Sequence, residues 1–481
     1  MPKRARDRGK ARGRGSQGIE QTQGWSENLI DQMCRKGDDL ADALVTKVAQ
    51  QTQGGLPLLA DLLRNMIRHE TIGHFRSKLT DAFKGSSPGD RKKVGELLDK
   101  YLDDTRIVPW AEPELIATGQ RVFRQNGMIA FAILGCASLP ESYATSYGAK
   151  VLGITQQLLS HTKRRLWETS LFVINLMQER EDNLQGLSDE GIEAAQKVRL
   201  MHAAIRYLIK QQPAKMPPNG KPGSELGNAF LQMRWHEQEW GEPANQVAMS
   251  MAILSFSYVV LRSLRKLGVD LTHFEEKAYL HCWNVVGAIM GVDDRMLLPK
   301  GQESMEEAQE LYERVWLRPG VIARTSEGRA LEKALLEYME DFVPETFEPL
   351  RRIPRIITRG LVSSKIAGAI GLRLDWKDTL GLQMLRGLTH AHRFGTGVAG
   401  LAGVDLDWAA TAFQDLLKAG GLRHLEAEDI DQLPPIRLAA EWLFRRMAEG
   451  LHLSERGGDR PPFQIPTKLA RHWHIGNERK E

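Results

Sequence analysis

Residues 189–212 read DEGIEAAQKVRLMHAAIRYLIKQQ, and this stretch sets the fold class. Its apolar residues recur at spacings of three and four, which is the period of an amphipathic α-helix. Residues 150–176, 245–267 and 272–290 show the same period. No segment of the chain combines strict alternation with β-branched residues and hairpin turns. The sequence therefore predicts an all-α fold.

Residues 189–212 also carry a charged face. Arg199, His202 and Arg206 are three and four residues apart, so on a helix their side chains share one face. A buried cation is costly without an anion, and the partner could be an acidic residue or the carboxylate of a cofactor. A lone helical histidine is more often a satisfied core or surface residue than a ligand. The two arginines favour a ligand here, since haem would supply an iron for His202 and propionates for the guanidiniums.

Length and composition indicate a globular protein with room for a deep pocket. The chain has 481 residues, of which 42% are hydrophobic and 26% charged. Two apolar runs, residues 128–139 and 248–261, are shorter than the roughly 18 residues that a membrane-spanning helix needs. We expect both to be buried core helices.

The first fifteen residues form a basic tail, with seven basic residues against Asp7. Their net charge of +6 exceeds the +4 of the whole chain. No apolar stretch follows them, which argues against a secretory signal and predicts a cytoplasmic protein. A disordered solubilising arm is the favoured interpretation, and attraction to anionic lipid or nucleic acid is the alternative.

The three cysteines, Cys34, Cys136 and Cys282, are far apart and form no CxxC pair. A zinc site or a disulfide framework is therefore not indicated. Cys136 and Cys282 lie in apolar helical patterns and are expected to be buried thiols, which fits a reducing compartment.

The remaining histidines predict no second metal site. His281 lies on an apolar helical pattern near Trp283, so a buried, hydrogen-bonded histidine is the favoured interpretation. His390 and His392 are two residues apart, so on a helix they point in different directions and are poor joint ligands. His472 and His474 lie in the polar C-terminal tail, where no more than adventitious metal binding is expected. The P-loop, GxSxG, HExxH and repeated ExxH patterns are all missing from the sequence.

Seven short segments resemble segments of one protein family and follow one another in the same order as in that family. The first begins at residue 108 and the last ends at residue 292. They are VPW at Val108, GQRVFRQNG at Gly119, ASLPESYA at Ala137, RLWETS at Arg165, VRLMHAAIR at Val198, GEPANQ at Gly241 and EKAYLHCWNVVGAIMGV at Glu276. The family is that of latex clearing protein, or rubber oxygenase, to which the endoplasmic-reticulum-bound oxygenase of mycophenolic acid biosynthesis also belongs. Several pieces in order are far more specific than any one of them.

This resemblance implies a large, globin-like helical domain around a haem pocket, with extra N- and C-terminal helices. Family members bind one haem b and cleave carbon–carbon double bonds of prenyl chains with dioxygen. By resemblance, His202 is the proximal iron ligand, and Arg199 and Arg206 hold the haem or its surroundings. Arg165 and Thr169 match the family's distal arginine and threonine.

Two positions depart from the family pattern. Rubber-cleaving members have a lysine directly before the distal threonine, where this chain has Glu168. In those members the neutral amine of the lysine can occupy the distal iron position. A carboxylate cannot imitate that ligand, so Glu168 changes the distal side of the haem. Those members also have a glutamate about four helical turns upstream as the proposed base, where this chain has Ala149 followed by Lys150.

The expected function is that of a haem-dependent oxygenase acting with dioxygen on an apolar, prenylated or unsaturated lipid. Two alternatives stay open: a haem-binding protein without catalysis, and a helical interaction protein whose basic arm binds nucleic acid or a membrane. Nucleic acid is the less expected partner, and peripheral membrane contact stays open. The expected organisation is a basic tail (1–24), an N-terminal helical region (25–106), a haem-binding oxygenase core (107–300), C-terminal helices packed on it (301–460) and a polar tail (461–481).

Overall fold

The computed structural model describes residues 24–51, 88–106, 108–154, 162–178, 186–210, 235–341 and 351–383. Within these ranges the regular structure is helical, and no β-strand is found. A single antiparallel bridge between Thr145 and Ile322 is the one β-type pairing among these residues. The predicted all-α class is confirmed.

The described residues form sixteen α-helices, numbered in chain order. They are α1 Glu27–Cys34, α2 Asp39–Gln51, α3 Pro88–Asp104, α4 Pro113–Ile133, α5 Leu139–Tyr143, α6 Ser146–Ile154, α7 Thr162–Met177, α8 Asp189–Lys210, α9 Glu237–Trp240, α10 Gln246–Phe256, α11 Tyr258–Lys266, α12 His273–Ile289, α13 Met305–Trp316, α14 Ser326–Glu340, α15 Ile353–Leu361 and α16 Ser364–Ile370. A π-helical turn, Leu134–Ser138, joins α4 to α5, and a 3₁₀ turn, Asp294–Met296, follows α12.

Within the described ranges the buried apolar residues form two clusters, and α8 contributes to both. The main core surrounds the packed pair α4 and α12, where the Trp283 ring stacks on Phe256 at a centroid distance of 4.9 Å. The second cluster lies between α2, α3 and the C-terminal half of α8. Because Ala195 belongs to the main core and Leu200 to the second cluster, α8 is held between them along its length.

Local chemistry sets three of the helix boundaries. Asn245 is the N-cap of α10, and its side chain accepts a hydrogen bond from the Ala248 amide at 2.9 Å. Thr272 caps α12 in a reciprocal capping box with Glu275. Gly268 follows α11 with φ of +79°, the left-handed conformation that favours glycine after a helix. Caps of this kind each stabilise a helix by about 1 kcal/mol.

The segment predicted as one helix over residues 245–267 is divided at Ser257 into α10 and α11. Ser257 has φ of −105° and ψ of −83°, and its hydroxyl donates to the Ile253 carbonyl at 2.8 Å. A hydroxyl that bonds the preceding turn bends a helix, which explains the break. By length and composition Gln246–Lys266 could cross a membrane, yet 78% of its most apolar window is buried inside the protein. The predicted burial of this apolar run is confirmed.

The other apolar run, residues 128–139, contains the π-helical turn. Pro140 has no amide hydrogen, and the Leu139 amide donates back five residues to the Leu134 carbonyl. The Ser138 hydroxyl donates to the Ser255 carbonyl at 2.6 Å and ties the turn to α10. The turn is buried throughout, so the predicted core position is confirmed here as well.

Helix α14 carries a carboxyl group in the apolar interior. Glu332 is 2% exposed, and neither of its carboxyl oxygens has a hydrogen-bond partner. Burial raises the pKa of Glu332 to about 8, and the charge of Arg355 opposes that rise only in part. The group is therefore protonated at neutral pH.

Several predicted features lie outside the described residues. These are the basic tail and the histidines at 390, 392, 472 and 474. Residues 211–227, whose prolines and glycines predict a loop, and residues 408–417, whose apolar pattern predicts a helix, lie outside them too.

Candidate functional site

The predicted charged face of α8 is present, and it meets the start of α2. Arg199 is 9% exposed and forms a bidentate pair with Asp38, with Nε to Oδ2 at 2.5 Å and Nη2 to Oδ1 at 2.8 Å. Its third nitrogen, Nη1, donates to the Ile289 carbonyl at the end of α12 at 3.2 Å. Arg199 therefore joins three elements through one guanidinium.

Arg206 makes the matching contact two turns later on α8. It is 1% exposed, and its Nε donates to both carboxylate oxygens of Asp42 at 2.8 and 3.1 Å. Its Nη1 donates to the Ala244 carbonyl at 2.8 Å, while Nη2 is buried without a hydrogen-bond partner. Burial raises the pKa of Asp42, and the charge and hydrogen bond of Arg206 oppose that rise. The carboxylate form of Asp42 therefore depends on the arginine beside it.

These contacts answer the question that the sequence left open about the anionic partner. The anions beside Arg199 and Arg206 are Asp38 and Asp42, so charge balance on this face does not require the carboxylates of a cofactor. Of the two kinds of partner that the sequence left open, the structure supplies the acidic residues. Breaking a buried pair of this kind by removing one partner costs about 3–5 kcal/mol.

His202 lies between the two ion pairs. The residue as a whole is half-buried, but its Nδ1 atom is inaccessible to solvent and has no hydrogen-bond partner. Burial and then the charge of Arg206 lower the pKa of His202 to about 4, against a smaller opposing effect of Asp38. The imidazole is therefore neutral at neutral pH, which is the form that binds iron. A buried ring nitrogen without a partner is also where a ligand is expected.

A second set of hydrogen bonds fixes α8 against α3, one turn before Arg199. The Gln196 side-chain amide donates to the Leu102 carbonyl at 2.7 Å and to the Thr105 hydroxyl at 2.8 Å. The Tyr101 hydroxyl donates to the Gln196 carbonyl at 3.0 Å. The axial position and rotation of α8, and with them the position of the histidine, are set by these buried polar contacts.

The predicted distal residues lie on α7, which packs against α8. Thr169 is half-buried in the second turn of α7. The backbones of Arg165 and Glu168 belong to the same helix, while their side chains lie outside what the structure describes. The structure thus brings α7 and α8 together and leaves the predicted roles of Arg165, Glu168 and Thr169 as predictions.

The position where the resemblance expects a base is buried and has no titratable group. Ala149 on α6 is fully buried. The next residue, Lys150, points to another element, since its Nζ lies 3.6 Å from the centroid of the Trp240 ring. Neither residue can serve as the expected carboxylate.

His281 is a structural histidine, as predicted. Its Nδ1 lies 2.8 Å from a Glu303 carboxylate oxygen, and its Nε2 accepts a hydrogen bond from the Glu112 amide at 2.9 Å, where α4 begins. Burial alone would raise the pKa of Glu303, but the hydrogen bond from His281 and other contacts lower it. Both ring nitrogens are therefore occupied, Nε2 by the amide at the start of α4 and Nδ1 by the Glu303 carboxylate. In the described part of the chain, no group of three or more His, Cys, Asp or Glu residues is arranged to hold a metal ion.

Three acidic residues that pair with buried or half-buried arginines near these elements were missed by sequence reasoning. Asp38 and Asp42 are more than 160 positions from their arginine partners, and no local pattern marks them. Glu141 lies within the ASLPESYA segment and is fully buried, where it pairs with Arg262 and accepts a hydrogen bond from the Tyr312 hydroxyl at 2.8 Å. Glu141 lies in one of the segments that resemble the family, and that position was the signal in the sequence that could have identified it.

Comparison with known proteins gives three findings. The family model for the catalytic domain of the ER-bound oxygenase mpaB/B′ and rubber oxygenase matches residues 121–394. The rubber oxygenase of Streptomyces sp. (strain K30) is 22% identical over 322 residues, which are 65% of this chain and 66% of that protein. This chain therefore spans slightly less than two thirds of that relative.

The third finding is structural. A solved structure of latex clearing protein LCP in the closed state superposes with a TM-score of 0.54 and 20% sequence identity. The superposition covers 86% of this chain and 91% of that one. At this identity the likeness concerns the fold alone, and it agrees with the helical architecture described above.

Proposed function

Because this chain belongs to the family of the ER-bound oxygenase mpaB/B′ and rubber oxygenase, whose catalytic-domain model matches more than half of it, we propose that it is a haem b-dependent oxygenase. The proposed reaction is the oxidative cleavage of a carbon–carbon double bond in an apolar prenylated or unsaturated lipid. The observation that carries the proposal is His202, a neutral, half-buried imidazole with a buried, unpartnered ring nitrogen.

The residues of α8 fit the cofactor that the family implies. His202 would hold the iron, and the buried Nη2 of Arg206, which has no partner, suits an anionic group. Arg199 and the rest of the Arg206 guanidinium hold the surroundings, since they fix α8 through Asp38 and Asp42. When bound, haem b supplies an iron that can bind and activate dioxygen.

The proposed distal residues are Arg165, Glu168 and Thr169 on α7. A threonine hydroxyl can donate a hydrogen bond to an oxygen atom, and a guanidinium can stabilise a developing negative charge. Glu168 adds a carboxylate that could accept a proton near this helix. It could take the place of the base that is lacking at Ala149.

Spectroscopy tests the cofactor. Purified protein incubated with haemin is expected to show a Soret band with one haem per chain, and His202→Ala is expected to lose it. The matched control is His273→Ala, because the His273 side chain is 99% exposed at the first position of α12. Wild-type protein that stays colourless with added haemin would refute the proposal, as would a His202→Ala variant that keeps the wild-type spectrum.

Product analysis tests the reaction. Incubation with prenyl and fatty substrates under ¹⁸O₂ is expected to give labelled aldehydes or ketones. The buried Ala149 favours one other candidate, a haem-binding protein without catalysis, because no proton acceptor stands at that position. Haem binding without any labelled carbonyl product across both substrate classes would support that second candidate.

A further inference from the structure

Two acidic residues outside the family match flank the histidine site. Asp38 directly precedes α2 and Asp42 lies in its first turn, whereas the family model begins at residue 121. Their partners are 161 and 164 positions away in sequence. Asp38 and Asp42 are four positions apart at the start of α2, and Arg199 and Arg206 are seven positions apart on α8, so the two ion pairs stand on either side of His202.

Both ion pairs are enclosed by glycine backbone. A Cβ atom at Gly37 would lie 2.5 Å from Asp42 Oδ2 and 3.1 Å from Arg206 Nε, so no larger residue fits there unchanged. Gly291 has φ of +82°, and a Cβ at that position would overlap both Asp38 Oδ2 and Arg199 Nε. The close approach of glycine backbone therefore leaves no room for a side chain between it and either pair.

One side chain links the two enclosing glycines. The Gln246 amide nitrogen donates to the Gly37 carbonyl at 2.8 Å and to the Gly291 carbonyl at 3.0 Å, and its oxygen accepts from the Asp293 amide at 2.7 Å. Gln246 is 2% exposed. Gln246 thus connects the two glycines that lie against the ion pairs of Asp38 and Asp42.

We propose that Asp38 and Asp42 are positioning residues for the metal ligand, acting through Arg199 and Arg206 on the orientation of His202 and on the electric field at the iron that it would hold. This inference rests on the proposed function. Each aspartate cancels the charge of a guanidinium close to the imidazole, where a low dielectric makes uncompensated charge effective. The N-terminal helices therefore belong to the cofactor site although they lie outside the family match.

The sign of the effect follows from charge. Replacing a carboxylate near the iron by a neutral amide makes the surroundings more positive, which favours ferrous over ferric iron. Asp42→Asn and Asp38→Asn are therefore expected to raise the reduction potential of the bound haem and to quicken haem release. Asp39→Asn is the matched control, because Asp39 is the neighbouring residue and its side chain is 87% exposed.

A charge-balanced variant separates positioning from a loss of folding. In the double variant Asp38→Asn with Arg199→Gln no buried cation is left uncompensated, so this protein is expected to fold. Its haem potential is expected to return toward the wild-type value, because the net charge beside His202 is restored. A purely structural role would instead leave the potential of the folded, haem-loaded fraction unchanged in every variant.

The experiment is a spectroelectrochemical titration of the haem-loaded full-length proteins, together with haem transfer to an excess of a haem-scavenging apoprotein. A rise in potential for Asp38→Asn and Asp42→Asn, with Asp39→Asn equal to wild type, supports the inference. Equal potentials and equal release rates in all proteins would overturn the inference alone. Wild-type protein that takes up no haem would overturn the proposed function and this inference with it.

Discussion

Replacing Glu332 by glutamine is expected to change how the stability of this protein depends on pH. Burial raises the pKa of Glu332 from its ordinary value of 4.5 to about 8. Between these two values the folded protein binds a proton that the unfolded chain does not. The free energy of unfolding of the wild type therefore falls as the pH rises from about 4.5 to about 8, and this contribution levels off above that.

The size of the effect follows from the pKa values. A rise from 4.5 to about 8 corresponds to a loss of up to about 5 kcal/mol, since each pKa unit is worth about 1.4 kcal/mol. Relaxation around a buried charge makes this an upper bound. Glutamine has nearly the same shape and no charge, so Glu332→Gln is expected to match the wild type near pH 5 and to exceed its stability by several kcal/mol near pH 8.5.

Urea unfolding followed by far-ultraviolet circular dichroism at pH values from 5 to 9 measures the free energy of unfolding of the wild type and of Glu332→Gln. Glu337→Gln is the matched control, because it makes the same substitution on the same helix at a side chain that is 60% exposed and pairs with Lys333 at the surface. The control is expected to follow the wild type at every pH. A constant difference between Glu332→Gln and the wild type from pH 5 to 8.5 would refute the assignment of Glu332 as a buried neutral acid.

Two further predictions concern the cysteines and one enclosing glycine. Burial raises the pKa of the Cys136 and Cys282 thiols to about 12, while Cys34 is half-buried with a pKa raised chiefly by burial. A thiol-reactive disulfide at pH 8 is therefore expected to label Cys34 slowly and the other two only after denaturation, and rapid labelling of three thiols in native protein would contradict this. Gly291→Ala is expected to cost more than about 1 kcal/mol in the free energy of unfolding, because φ is +82° and the new Cβ would overlap Asp38 and Arg199. Gly301→Ala shares the positive φ of +77° with nothing within 4 Å of the new Cβ, so an equal loss in both variants would show that the overlap is relieved at no cost.

Features set by local chemistry were predictable from the sequence. The 3.6-residue period gave the all-α class, the side chains of Asn245 and Thr272 could satisfy free amides at helix starts, and Gly268 suited the left-handed residue after a helix. The shared face of Arg199 and Arg206 is likewise a consequence of helix geometry.

Features set by tertiary contact were not predictable. Helix geometry shows that two arginines on a buried face need anions, but the choice of Asp38 and Asp42 depends on how α2 packs against α8. The division at Ser257 has a related cause, because a serine hydroxyl has several acceptors within reach and only the folded chain decides which one it uses.

The two ion pairs on α8 also bear on where this protein can be divided. A fragment starting at residue 121, where the family model begins, would keep Arg199 and Arg206 and discard both of their carboxylates. It would also lose the Trp25 indole, which donates to the Arg295 carbonyl at 3.0 Å. The segment that the family model matches therefore lacks contacts that hold α8 and the 3₁₀ turn after α12 in place. Truncated proteins made for crystallisation or binding studies need to begin before residue 25.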